Sequence, residues 1–163
     1  MSKRANMSIA AGDAAAAMTQ LTLSVFRCNG VLLHWGDRLV EPLGLTSARW
    51  QVLGALALAG EPLTAPQVGG AMGMTRQGAQ KQLNLLLEKG LVEAHSNPAH
   101  RRSPLFALTS EGLALYQDAE ALWAAQAAEL AKSVPAEQAL AAAQALEAVV
   151  HRLQTNHPHS DIQ

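Results

Sequence analysis

The stretch TAPQVGGAMGMTRQGAQKQLNLLLEKGLVEAHSNPAHRRSPLFALT, residues 64–109, decides the fold of this chain. Thr64 and Gln67 flank Pro66 in the spacing of a capping box, which opens a short helix, and Gly73 closes it. Thr75 caps a second helix that runs from about Arg76 to Lys89 and stops at Gly90. Within it Ala79, Leu83, Leu86 and Leu87 fall at the i, i+4, i+7, i+8 spacing of a core-facing stripe. The other side presents Gln77, Gln80, Lys81 and Asn84, side chains able to hydrogen-bond base edges and phosphates. A strand follows at Leu91–His95, then a turn opened by Ser96, Asn97 and Pro98. The loop carries Arg101 and Arg102, and Pro104 closes it before a second strand at Leu105–Leu108. Two short helices, a strand, a basic loop and a strand make a winged helix-turn-helix. DNA is therefore the first partner to weigh.

Composition agrees with a single globular unit. The chain has 163 residues, 49% of them apolar and 15% charged, which is enough for one real core and argues against disorder. Alanine and leucine dominate over aromatics, a bias toward helix. The net charge of −1 is unusual for a nucleic-acid binder, but its distribution is not. Residues 76–104 carry five basic side chains against two acidic ones, or +3. Residues 110–150 carry one against six, or −5. Positive charge collects where the reading helix and the loop lie. The apolar run from Trp50 to Gly60 is too short to span a bilayer, and Asp13 interrupts any N-terminal signal-like region. One cysteine excludes an internal disulfide and fits a reducing, cytoplasmic setting.

Long helices bracket the central module. Asp13 serves as N-cap for a helix ending near Glu41, where Pro42 and Gly44 stop it. Met18, Leu21, Val25, Cys28, Leu32, Trp35 and Leu39 alternate spacings of three and four along it, a heptad seam that needs a partner from this chain or a second copy. Gly30 and Gly36, costly in a helix interior, permit close approach or a bend. Another helix runs from Thr46 to Ala59 with Gly60 beyond it. Thr109 caps a long helix through about Lys132, and Pro135 begins the last, in which Leu146, Val149, Val150 and Leu153 form an apolar edge. The expected organisation is a flexible tail at 1–12, an N-terminal dimerisation helix at 13–44, a winged helix-turn-helix DNA-binding module at 45–110, C-terminal dimerisation helices at 111–154, and a flexible tail at 155–163. The fold class is mainly α with a small β-wing.

The residues now resemble a known family. Leu43-Gly44-Leu45-Thr46 followed by Trp50-Gln51-Val52-Leu53, and the run from Met74-Thr75-Arg76-Gln77 through Leu86-Leu87-Glu88-Lys89-Gly90-Leu91-Val92, are similar to MarR-family transcriptional regulators. Asn97-Pro98-Ala99-His100-Arg101-Arg102 looks like the wing signature, and Leu108-Thr109-Ser110-Glu111-Gly112 like the exit from the wing. The similarity covers roughly residues 20–153 and is most specific at 43–113. It implies a homodimer on a pseudo-palindromic operator in double-stranded DNA, typically a repressor released by a small aromatic or anionic effector. Two departures stand out. The family's wing usually carries acids where this chain has Asn97 and His100, and Gly78 loosens the reading helix.

The expected DNA-binding residues are Thr75, Arg76, Gln77, Gln80, Lys81, Asn84, Arg101 and Arg102, against the plainer reading of a solvated helix face. One wing arginine is expected on DNA and the other in a structural pair with an acid near the wing's base. His34, Trp35, Arg38 and Trp50 lie where relatives place an effector pocket, although each singly also fits a packing role. Cys28 admits a redox-responsive regulator, but it sits on the seam, where cysteine commonly behaves as a small buried hydrophobe. No catalytic residue, metal or cofactor is expected. No paired carboxylates, Gly-rich phosphate loop or Cys–His pair stands out, and His157 and His159 lack partners at ligand spacing. A winged helix that docks protein is the remaining alternative, and such modules usually lack an arginine-bearing wing beside a polar reading face.

Overall fold

Threonine punctuates the centre of the chain. Each of Thr46, Thr64, Thr75 and Thr109 sits in extended backbone, and its side chain accepts a hydrogen bond from the amide three residues on. Each satisfies one of the amides that a helix start leaves unpaired. The computed structural model describes residues 11–156. Its order is α1 (Ala11–Val40), a short 3₁₀ turn (Glu41–Leu43), α2 (Ser47–Ala59), α3 (Ala65–Met72), α4 (Arg76–Glu88), β1 (Val92–His95), β2 (Leu105–Leu108), α5 (Ser110–Leu130) and α6 (Ala136–Asn156). The architecture is mainly helical with a two-stranded antiparallel wing.

The helix-turn-helix is built as the turn chemistry dictates. Thr64 and Gln67 form the full capping box at the start of α3. Gly73, at φ +64°, takes the left-handed conformation that ends α3, which costs glycine little. Gly69 has a separate reason to be glycine. The Met74 amide donates to its carbonyl at 2.9 Å, and a Cβ there would lie 2.9 Å from the Met74 carbonyl oxygen. The neighbouring Gly70 faces open space.

In the wing, Val92 pairs with Leu108 and His95 with Leu105. A third backbone segment joins β2: the Leu63 and Phe106 amides donate to each other's carbonyls at 3.0 and 2.8 Å. Phe106 is thereby pinned in the core, 2% exposed, with Leu53, Leu83, Leu86, Val68 and Val92. The wing is thus tied to the segment just before α3, so loop and reading helix share one rigid base.

Several expectations need correction. The first helix is described from Ala11 onward, so Asp13 lies within it rather than capping it. The fifth helix stops at Leu130, and the sixth continues to Asn156. Leu87 is 41% exposed: a step of about 100° per residue carries it some 80° away from Ala79. The buried stripe is Ala79, Leu83 and Leu86. The seam on α1 is unsatisfied within the chain, because Met18, Cys28 and Leu32 are exposed. The structure covers only the inner edges of the expected tails; residues 1–10 and 157–163, including His157 and His159, lie outside the described residues. Among the described residues no helix is long and apolar enough to cross a membrane.

Candidate nucleic-acid interface and ligand cavity

Side chains on the outer face of α4 follow from its burial on the inner one. Since Ala79, Leu83 and Leu86 are buried, residues half a turn away must face solvent. Arg76, Gln77, Lys81 and Asn84 are exposed and Gln80 is half-buried. These five side chains, with Leu85, line one shallow depression. The side-chain amide of Gln80 donates to Asn84 Oδ1 at 2.8 Å, an i,i+4 pair on the helix surface. That bond leaves the Gln80 carbonyl oxygen and the Asn84 amino group to present one acceptor and one donor side by side. Thr75 Oγ1 accepts from the Gly78 amide at 3.0 Å. Gly78 therefore falls in the capped first turn, where its loosening effect is offset.

The wing is held by Asn97. Its amide donates to the Ser103 carbonyl at 2.9 Å, closing the loop, while Oδ1 accepts from the amides of Ala99 (3.1 Å) and His100 (3.3 Å). An asparagine accomplishes this with its own donor and acceptor, so no acid is needed. The expected structural arginine is absent for the same reason. Arg101 and Arg102 are both exposed, and among the described residues the ion pairs are His95–Glu93 and Lys132–Glu129. Arg102 lines a groove with Arg76, His100, Asn97 and Gln67, between the wing and the starts of α3 and α4. Arg101 does not line it. The groove concentrates cations beside the reading helix, a suitable seat for a backbone phosphate.

Behind the module a polar joint binds α1 to α2. Ser47, 4% exposed, donates its hydroxyl to the Leu33 carbonyl at 2.6 Å, and its amide donates to Asp37 Oδ1 at 2.7 Å. Gly36 makes this possible, since a Cβ there would sit 2.5 Å from Ser47 Oγ. Beside the joint lies a cavity of about 310 Å³, walled by α1, α2 and α5. Of the four residues singled out for a pocket, Trp35 and Trp50 line this cavity; His34 and Arg38 are exposed on α1 and do not. The sequence reading missed Tyr116, Glu120 and Trp123 on α5, and Met72 on α3. Burial raises the Tyr116 hydroxyl pKa above its ordinary value, and the charge and hydrogen bonding of Glu120 add to the shift.

A model of the MarR family matches residues 43–103. An uncharacterized protein of Mycobacterium tuberculosis is 39% identical over 100 residues, covering 61% of this chain and 68% of that protein. Among solved structures the chain is similar to a MarR family transcription regulator, with 25% identity, a TM-score of 0.66, and 90% and 98% of the two chains covered. It is also similar in fold to a mutant MarR from E. coli complexed with operator DNA. That match has 23% identity, a TM-score of 0.68, and 82% and 95% coverage.

Proposed function

The chain belongs to the MarR family, and on that premise we propose that it is a sequence-specific DNA-binding regulator acting as a homodimer on a pseudo-palindromic operator. The observation that carries this reading is the single basic and amide-bearing surface formed by α4 and the wing. Gln77, Gln80 and Asn84 read base edges in the major groove. Thr75, Arg76, Lys81 and Arg102 hold phosphates, and Arg101 extends the contact to the flanking minor groove, where narrow A·T-rich segments are most negative.

Homodimerisation is supported by what the single chain leaves uncovered. The last helix, α6, has 21 residues, makes no extended packing contact with another described element, and keeps only Leu146 and Val149 half-buried. Such a helix draws its stability from packing an apolar face. Leu23, Phe26 and Val31 on α1 are likewise exposed, as are Leu140, Val150 and Leu153 on α6. These long helices are the proposed dimerisation layer, and residues 45–110 the DNA-binding module. A two-fold axis then sets two reading helices about one DNA turn apart. Cytoplasmic residence accompanies this role.

The cavity gives the regulator an input. Ser47 both lines it and locks α1 to α2, so a ligand wedged there changes how the dimer layer holds the reading helices. In this reading the chain represses while it occupies the operator, and ligand binding releases it.

Two experiments test the surface. Gln80→Ala with Lys81→Ala is expected to weaken specific operator binding at least about tenfold while leaving the dimer intact, since each lost base contact costs roughly 1–3 kcal/mol. Unchanged affinity in a gel-shift titration would remove α4 from the interface. Replacing Arg101 and Arg102 together should lower affinity and flatten the salt dependence by about two units of slope if one phosphate per protomer is lost. An identical slope would mean that the wing does not touch DNA.

A further inference from the structure

All three tryptophans of the chain line the one cavity between α1, α2 and α5. Trp123 meets Trp35 edge-on, with ring centres 6.0 Å apart at 75°, and Trp50 at 6.2 Å and 57°. Tyr116, Glu120 and Trp123 share one face of α5, spaced four and three residues apart, so the carboxylate stands one turn from each ring. Among the described residues Glu120 is the only charged side chain in the lining, and no lysine, arginine or histidine joins it there. Arg49, the basic residue of α2, turns its guanidinium to Thr46 Oγ1 and the Gly44 carbonyl at 3.3 Å each.

We propose that this cavity selects an organic cation with a flat aromatic body. The inference rests on reading the cavity as the effector site and adds the sign of the ligand's charge. Indole faces attract cations through their ring quadrupole, more strongly when the site is desolvated. Glu120 supplies the opposite charge, one helical turn from Tyr116 on one side and from Trp123 on the other. An anionic ligand would meet a like charge with no cation to receive it. The family resemblance allowed an aromatic or an anionic effector; this lining keeps the first and rejects the second.

The test is a charge series of similar shape, titrated by calorimetry into the DNA-free protein: N-methylquinolinium, neutral quinoline and anionic quinaldate. Tryptophan quenching locates binding, because every tryptophan lines the cavity. The cation is expected to bind at least about tenfold tighter than the anion. Glu120→Gln should erase most of that margin while leaving quinoline little changed. The series on the unaltered protein decides the matter even if the variant fails to fold. Equal or tighter binding of quinaldate, or no binding of the cation, overturns the proposal. Operator binding without ligand is measured separately, so failure here leaves the DNA-binding reading standing, and failure there leaves the charge selectivity measurable.

Discussion

Phe26→Asp will weaken the proposed dimer by roughly two to four orders of magnitude and with it the proposed tight operator binding. Phe26 is 69% exposed in the single chain, the most exposed large apolar side chain of α1. Burying a phenylalanine contributes about 1.5–3 kcal/mol, and a two-fold interface uses each residue twice, so about 3–6 kcal/mol is lost per dimer. Seating an aspartate in its place adds a desolvation cost. Because Phe26 is largely exposed and is not a member of the buried core, the winged module itself should stay folded. Sedimentation velocity reads the association, and circular dichroism checks the fold. A variant that sediments as the unaltered dimer would move the interface off this face of α1. In gel shifts, a monomer keeps one reading helix and the phosphate contacts of one half-site, so its binding should weaken and lose part of its salt dependence.

How far the sequence alone reaches is clearest at the caps. Thr46, Thr64, Thr75 and Thr109, with Gly60, Gly73 and Gly90, mark helix ends by chemistry local to three or four residues, and the elements fall within a few residues of where those signals put them. The buried stripe of α4 was legible for the same reason: its period is a property of the helix. What stayed hidden depends on residues far apart in the chain. Trp123 reaches Trp35 and Trp50 across some seventy to ninety positions, and no local pattern announces such a meeting. His34 and Arg38 were singled out by neighbourhood in sequence, yet helical geometry turns both away from the cavity that Trp35 lines. The bridge between Leu63 and Phe106 is too short to leave a strand pattern. Asn97 shows the intermediate case. Its capacity to donate and accept was readable, but that it would fix the wing without an acid required seeing Ser103 within reach.

The second large effect is expected at Gly112, where the wing returns to the helical layer. Thr109 donates its hydroxyl to the Gly90 carbonyl at 2.8 Å and its amide to the Leu91 carbonyl at 3.2 Å. This fuses the start of α5 to the end of α4. Gly112, in the first turn of α5, is buried directly against Leu91. A Cβ there would overlap the Leu91 carbonyl oxygen and lie 2.9 Å from its carbonyl carbon. The obstacle is backbone, which cannot rotate aside, and relief would require breaking the Thr109 bonds. Gly112→Ala should therefore cost about 3 kcal/mol, the upper range for overpacking, and lower Tm by roughly 6–12 °C in a chain of this size. Gly70→Ala is the matching control, since it adds the same methyl to a helix in open space. It should stabilise by about 0.5–1 kcal/mol, because alanine loses less backbone freedom in a helix. Thermal unfolding of the two variants gives opposite signs if backbone approach governs the first site. A neutral Gly112→Ala would mean that the wing can shift away from α5 at little cost, and the rigid base assigned to the reading surface would not exist.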